Sequence, residues 1–172
     1  MPQPNISKIQ CFLANVAITP SAVRRNPAGT HAAVIEFLSV IPLQRFANRD
    51  RFPSNLDTWT EKLRRARNPE LPFGTSRKCL NIFLRDATYN IYTRQFYNLQ
   101  AIEPLLEVPL DSHVANGLRA DGHEIGCELP HFGTIIGLTR EDHERFQCAA
   151  EKIAHELHDT YRVHLDLHYW RG

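Results

Sequence analysis

The segment from Arg77 to Leu99 constrains the fold of this chain more than any other, because its apolar residues recur at helical spacing. Intervals of three and four residues place side chains along one face of an α-helix. Such a face needs other elements to pack against, so the segment predicts a long amphipathic helix at the centre of the fold. The apolar positions are Leu80, Phe83, Leu84, Ala87, Ile91 and Tyr92.

Three further helices are predicted before this segment. Residues 5–18 alternate short apolar runs with polar breaks and form the first. Asn26 and Pro27 are typical of a helix cap followed by proline at the first helical position, so they open the second. Ser54 or Asn55 caps the third, which ends in a cluster of arginines that suits the C-terminal end of a helix dipole.

The pattern after residue 99 also favours helices. Asp111 caps or opens a short helix, and Thr139 begins another with acidic residues in its first turn. Residues 121–138 contain four glycines without periodicity, so they form a long loop or a small hairpin. Residues 163–170 alternate like a strand, yet a lone strand has no partner, and a short helix fits equally well. The prediction is an all-α fold.

Length and composition predict one compact helical domain spanning residues 1–172. A hydrophobic fraction of 42% and a charged fraction of 23% are ordinary globular values. The chain is also long enough to form a hydrophobic core without disulfide bonds or structural metal ions. No apolar run approaches the ~20 residues that cross a bilayer. The N-terminus, Met1-Pro2-Gln3-Pro4, does not resemble an export leader. We therefore expect a cytoplasmic protein without a membrane partner.

The four cysteines lie far apart in the chain, without the close pairs typical of zinc or iron–sulfur ligands. We expect buried thiols, no iron–sulfur cluster and no cofactor. The residues are Cys11, Cys79, Cys127 and Cys148.

The net charge of +1 conceals a strong asymmetry along the chain. Residues 1–99 carry fourteen Lys/Arg against six Asp/Glu, whereas residues 100–172 carry six against thirteen. Such a division is typical of a protein that offers a basic face to phosphates. Pairing of the two halves with each other in the fold is the alternative.

Two short segments carry residues suited to one reaction. Residues 71–81 read Leu-Pro-Phe-Gly-Thr-Ser-Arg-Lys-Cys-Leu-Asn, and residues 108–114 read Val-Pro-Leu-Asp-Ser-His-Val. A deprotonated amine such as that of Lys78 can capture C1′ of a nucleoside as a Schiff base, and a carboxylate such as that of Asp111 can stabilise the oxocarbenium-like sugar. Taken singly, the first segment is also typical of a helix start with solvated cations, and Asp111 of a helix cap.

The first segment resembles the hairpin of helix-hairpin-helix DNA glycosylases, Pro-Gly-Val-Gly-Arg-Lys-Thr-Ala-Asn, and the second resembles their Pro-Val-Asp-Thr-His-Val. The resemblance, over about residues 70–118, implies the fold of that superfamily, which includes endonuclease III and 8-oxoguanine glycosylase. It assigns Lys78 as the nucleophile and Asp111 as the catalytic carboxylate. It implies DNA binding by a hairpin loop and by the helix that begins near Ser76. The residues implied to bind DNA are Gly74, Thr75, Ser76, Arg77 and Asn81.

There are two departures from the family pattern. Ser76 stands where the hairpin has a second glycine, and the interval between Lys78 and Asp111 is longer than in ordinary members. The long interval is similar to that of archaeal 8-oxoguanine glycosylases, which implies an oxidised purine as substrate. The implied partner is double-stranded DNA with a damaged base or an abasic site, and the implied location is the nucleoid. His113 and Asp166 are secondary site candidates.

Two alternatives remain open. One is a helix-hairpin-helix module that binds DNA without cutting it. The other is a metal-dependent hydrolase in which His155 and His158 share a helical face and His164 or Asp166 completes the ligand set. In the glycosylase interpretation we expect no metal.

The glycosylase interpretation also needs aromatic side chains that stack on an extruded base. The aromatic residues available for this are Trp59, Phe73, Tyr89, Tyr92, Phe96, Tyr97 and Trp170.

Overall fold

Every regular element in residues 4–170, the part of the chain that this computed structural model describes, is helical. The all-α prediction is therefore confirmed. None of the helices in that range is both long and apolar enough to cross a membrane. The α-helices are α1 (Ile6–Ala17), α2 (Thr30–Ser39), α3 (Phe52–Arg64), α4 (Phe73–Tyr89), α5 (Ile91–Tyr97), α6 (Ser112–Glu124), α7 (Arg140–His158) and α8 (Leu165–Tyr169). Short 3-10 turns lie at Pro20–Val23, Leu43–Arg45, Leu99–Leu105 and Arg162–His164.

Helix α4 is the central element and packs against α1, α2, α3, α5 and α7. It begins at Phe73, three residues before the predicted start, because the Ser76 N–H donates to the Pro72 carbonyl oxygen at 3.1 Å and closes the first turn there. The segment expected to form a hairpin loop is therefore helical from Phe73 onward. It also ends earlier than predicted, at Tyr89.

Asn90 divides the predicted long helix into α4 and α5. Its backbone is extended (φ −75°, ψ 120°), and its side-chain oxygen accepts from the backbone N–H of Tyr92 at 3.1 Å and of Thr93 at 3.2 Å. This cap starts a new helix. Ile91 and Tyr92, which fit the apolar period, are exposed as a result.

The start of α2 was predicted incorrectly. The helix begins at Thr30, after Gly29 in the left-handed region (φ 82°), and not at Pro27. The Asn26 side chain donates instead to the Val23 carbonyl oxygen at 3.1 Å and accepts the Thr75 hydroxyl at 3.2 Å. It thus ties the chain before α2 to the first turn of α4.

The predicted boundaries elsewhere are closer. Helix α3 begins at Phe52, just before the predicted cap, with proline in its first turn. The Thr139 side chain caps α7 by accepting the Asp142 N–H at 3.1 Å, as predicted. Helix α6 runs to Glu124, so only the rest of segment 121–138 is a loop, and within it no strand is formed. Segment 163–170 takes the helical alternative.

Two clusters of buried apolar side chains support this arrangement. The N-terminal core contains buried side chains from Leu13 to Leu106 together with Val163. The C-terminal core contains those from Val108 to Ala154 together with Leu165. The chain passes from one core to the other at Glu107, so residues next to this crossing lie where the two cores meet.

A buried ionic network joins the cores at that crossing. Glu107 accepts two hydrogen bonds from Arg77, from Nε and Nη2, each at 2.8 Å, and one from Asn81 Nδ2 at 2.8 Å. His143 Nε2 lies 2.8 Å from the same carboxylate, and Asp57 accepts from Arg77 Nη1 at 2.8 Å. Burial alone would raise the pKa of Glu107, but His143 and Arg77 hold that pKa well below its usual range. Glu107 is therefore a carboxylate in the folded protein.

The expectation that the thiols are buried is wrong for two of the four. Cys79 is fully buried in α4 and Cys127 is half-buried, whereas Cys11 and Cys148 are exposed on α1 and α7. Burial raises the pKa of the Cys79 thiol to about 12, and the nearby Lys78 ammonium only partly offsets this. Cys79 is thus an inert core residue.

Candidate functional site

Lys78 and Asp111 meet at the junction of the two cores. The Lys78 Nζ lies 3.5 Å from Asp111 Oδ2, and their side chains are 11% and 23% exposed. Lys78 comes from the second turn of α4, whereas Asp111 is the residue immediately before α6. Two positions far apart in the chain are therefore brought together as an ion pair with limited access to solvent.

The two oxygens of Asp111 have different surroundings. Oδ1 accepts from the backbone N–H of His113 at 2.9 Å and of Val114 at 3.0 Å, and so caps α6 as predicted. Oδ2 faces Lys78. The cap restricts the rotation of the carboxylate, since two backbone donors hold one of its oxygens. The second oxygen remains available to the amine.

The ion pair opens into a cleft of about 510 Å³. This volume lies in the range of small-ligand sites and suits a group the size of a nucleotide. A smaller cavity of about 270 Å³ adjoins it and shares Lys78, Asp111 and Trp170. The larger cleft is lined by Ser21, Ala22, Arg24, Arg25, Lys78, Asp111, Ser112, His113, Phe132, Gly133, Thr134, Ile135, Ile136 and Trp170.

One wall of the cleft is the loop that follows α6, and Gly74 allows it to approach α4. A Cβ at Gly74 would overlap the Ile135 carbonyl oxygen and lie 2.9 Å from the Leu138 Cβ. Glycine is therefore required for the loop to pack on the first turn of α4. This contact places the loop residues 132–136 opposite Asp111.

The opposite rim carries two exposed arginines, Arg24 and Arg25, in the connection between α1 and α2. Arg25 has a φ of 67°, a conformation that costs a residue with a Cβ about 1–2 kcal/mol. Strained residues of this kind concentrate at functional sites. The rim therefore offers two guanidinium groups to an anionic ligand beside Lys78.

The residues that the hairpin resemblance implied for DNA binding are inside the protein. Gly74, Thr75, Ser76, Arg77 and Asn81 are all buried. The donors of Arg77 and Asn81 are occupied by the Glu107 network, and Gly74 supports the neighbouring loop. In this conformation the five residues hold the interior of the site together and do not present their side chains to a phosphate.

The two secondary candidates lie near the pair. His113 is exposed and lines the larger cleft. Asp166 is buried, forms an ion pair with Arg85 and lines the smaller cavity together with Lys78. Both positions therefore border the space around the amine.

The histidine set predicted for a metal is not assembled. His155 and His164 line a separate cavity of about 690 Å³. The Tyr89 hydroxyl lies 2.7 Å from His164 Nδ1, and Asp166 is paired with Arg85. His158 instead contacts Asp121, with Nε2 and Oδ2 2.9 Å apart. The ligand set of the hydrolase alternative is therefore wrong.

Of the aromatic residues considered from sequence, Trp170 lines the cleft, and it is 71% exposed. Trp59 instead packs against Phe37 and Phe46 in the N-terminal core. Phe132 also lines the cleft and was missed, as were Arg24 and Arg25. The missed residues lie in irregular connections, where side-chain periodicity gives no signal.

No family model, no curated protein and no solved structure matches this chain.

Proposed function

We propose that this chain is a DNA N-glycosylase with β-lyase activity, acting in base excision repair on an oxidised purine such as 8-oxoguanine. The observation that carries the proposal is the 3.5 Å contact between the Lys78 amine and the Asp111 carboxylate at the edge of a nucleotide-sized cleft. An amine and a carboxylate side by side are the two groups that the reaction needs.

In the proposed reaction, the Lys78 ammonium releases a proton to water and its nitrogen attacks C1′ of the damaged nucleotide. The bond between C1′ and the base breaks, and the base leaves with the bonding electrons and takes up a proton. Asp111 Oδ2 stabilises the positive charge that develops on the sugar. Because Oδ1 is held by the cap of α6, the carboxylate does not have to reorient during this step.

Ring opening of the aminosugar then gives a Schiff base between Lys78 and C1′. Loss of a C2′ proton from this iminium breaks the bond between C3′ and its oxygen and releases the 3′ phosphate. Water finally hydrolyses the Schiff base and restores the free amine. The Lys78 side chain is 11% exposed, which limits the access of water while the iminium exists.

The surroundings of the pair suit an extruded nucleotide. Phe132 and Trp170 line the cleft, and a flipped base is commonly stacked on aromatic side chains. Arg24 and Arg25 lie on the rim, where they would contact the phosphates on either side of the extruded nucleotide.

Borohydride trapping tests the proposal directly, because reduction of the Schiff base leaves a stable covalent adduct. We expect wild-type protein to form an adduct with duplexes that contain 8-oxoguanine or an abasic site. Lys78→Ala should form none, whereas Lys152→Ala should match the wild type, because Lys152 is an exposed lysine on α7 outside the cleft.

Failure of the wild type to form an adduct on either duplex would refute the lyase proposal. Binding to DNA that does not depend on the lesion, without product from any substrate, would instead favour the non-catalytic DNA-binding alternative.

A further inference from the structure

A cluster of two histidines and one aspartate lies where α6, α7 and α8 converge, outside the proposed site. Asp121, His158 and His168 come from these three helices in turn, and each offers one ligand atom such that all three atoms lie within 4.8 Å of one another. The ring centroids of His158 and His168 are 4.2 Å apart. No sequence interval indicates this set, because it is assembled only by the packing of α8.

We propose that Asp121, His158 and His168 bind a divalent transition metal ion of the zinc type. Imidazole nitrogen and carboxylate oxygen are the usual ligands of such ions, at about 2.0–2.2 Å. Tetrahedral ligands at that distance are about 3.4 Å from one another. His158 Nε2 and Asp121 Oδ2 are 2.9 Å apart, and the ligand nitrogen of His168 lies within 4.8 Å of both. Side-chain movements of about an ångström would bring the three atoms to the spacing of metal ligands.

The surroundings of the cluster favour a bound cation. The Tyr169 hydroxyl donates to Asp121 Oδ2 at 2.6 Å and orients the carboxylate, as outer partners of metal ligands do. His168 is exposed, which leaves an open path for the ion and room for a water molecule as fourth ligand.

The ion would attach α8 to the rest of the protein. Helix α8 has five residues, and it is seated on α6 where a Cβ at Gly117 would overlap the Tyr169 ring. It carries Asp166, and Trp170 follows it; both line cavities that include Lys78. A metal on His168 would therefore stabilise the position of this wall of the proposed site, although the metal site does not depend on the proposed activity.

The test uses the full chain after removal of metal with a chelator. Calorimetric titration with ZnCl₂ should show one ion per chain, and CoCl₂ should give the absorption of tetrahedral cobalt. His168→Gln should weaken zinc binding by at least about 100-fold, since loss of an outer partner alone weakens metal sites by about 10–100-fold. His155→Gln, a change on the same helix as His158 but outside the cluster, should bind zinc as the wild type does.

A thermal unfolding series separates binding from damage to the fold. Because His168 is exposed, His168→Gln without metal should unfold at the same temperature as the metal-free wild type. Zinc should raise the midpoint of the wild type and of His155→Gln but not that of His168→Gln. The proposal is overturned if the wild type binds no zinc at micromolar concentrations, or if His155→Gln loses binding as strongly as His168→Gln does.

Discussion

Arg77 and Glu107 form a bidentate ion pair inside the protein. Arg77 Nε lies 2.8 Å from Glu107 Oε2, and Arg77 Nη2 lies 2.8 Å from Glu107 Oε1. Arg77 immediately precedes Lys78, and Glu107 lies four residues before Asp111. The pair therefore holds α4 and the start of α6 together next to the amine and the carboxylate that face each other in the cleft. The geometry of the candidate site depends on this contact.

Glu107→Gln should destabilise the protein strongly. The change removes a buried carboxylate that contacts Arg77 and the adjacent His143, whose side chains are 7% and 3% exposed, and leaves Asp57 as the remaining carboxylate beside Arg77. Removal of one partner from a buried ionic network costs about 3–5 kcal/mol in the free energy of unfolding. Urea unfolding measures this loss. Glu70→Gln, which affects an exposed pair with Arg64, should cost less than about 1 kcal/mol.

The same network predicts how stability depends on pH. His143 and Arg77 hold the pKa of Glu107 well below its usual value of 4.5 in the folded state, despite the opposing effect of burial. Below pH 4.5 the unfolded chain therefore binds a proton that the folded protein does not, and stability falls as the pH falls through the folded pKa. Urea unfolding should be measured from pH 6 down to about pH 2. As the pH falls, the free energy of unfolding should decrease less for Glu107→Gln than for the wild type. Parallel curves would contradict this assignment.

The helical class could be predicted from sequence because several helices show apolar periodicity and some, such as α6 and α7, begin with a local side-chain cap. Thr139 and Asp111 are caps whose side chains act within three residues, so sequence identifies them. The starts of α2 and α5 were missed because they depend on the left-handed Gly29 and on the Asn90 turn. Local propensity does not distinguish such turns from a continuing helix.

The candidate site could be predicted only in part. Lys78 and Asp111 stand in short segments with recognisable flanking residues, and the structure brings them within 3.5 Å. The DNA-binding residues around Lys78 were implied by the family resemblance, whereas tertiary packing directs Arg77 to a carboxylate thirty positions away. Phe132 and Arg25 lie in loops whose approach to the cleft is set by contacts between the cores.

Two substitutions at Asp111 separate its structural role from its charge. Asparagine caps helices about as well as aspartate, so Asp111→Asn should retain the cap of α6 and the thermal midpoint of the wild type. It should nevertheless reduce the rate of borohydride trapping by about 100-fold or more, because the charge beside Lys78 is lost.

Asp111→Ala removes the cap as well, which costs about 1 kcal/mol in the free energy of unfolding. Borohydride trapping reactions stopped at successive times measure the rate for both variants, and thermal unfolding measures their stability. A rate for Asp111→Asn equal to that of the wild type would argue against a catalytic carboxylate.

Replacing both rim arginines should weaken DNA binding to a similar extent for every DNA sequence. The double variant Arg24→Gln and Arg25→Gln loses up to two phosphate contacts. A plot of the logarithm of the DNA-binding constant against the logarithm of the salt concentration should therefore have a slope that is shallower by about 1–2. Fluorescence anisotropy with duplex DNA at several salt concentrations measures this slope. The matched pair Arg49→Gln and Arg51→Gln changes exposed arginines that do not line the cleft, and its slope should stay that of the wild type.

Gly74→Ala should disturb the cleft through the loop that it supports. The added methyl group would meet the Ile135 carbonyl oxygen and the Leu138 Cβ, which are backbone and core positions that cannot move aside cheaply. We expect a loss of about 1–3 kcal/mol in the free energy of unfolding, the usual cost of overpacking. Because the displaced loop carries Phe132, the trapping rate should fall even under conditions where the variant is fully folded.

Gly133→Ala is the matched control for Gly74→Ala, because no atom lies within 4 Å of a Cβ built at Gly133 on the same loop. Its free energy of unfolding should stay within about 0.5 kcal/mol of the wild type. Urea unfolding and trapping rates of the two variants distinguish a steric effect at α4 from a general sensitivity of the loop. Equal stability of the two variants would show that the loop does not pack on Gly74, and the wall of the cleft would then need another support.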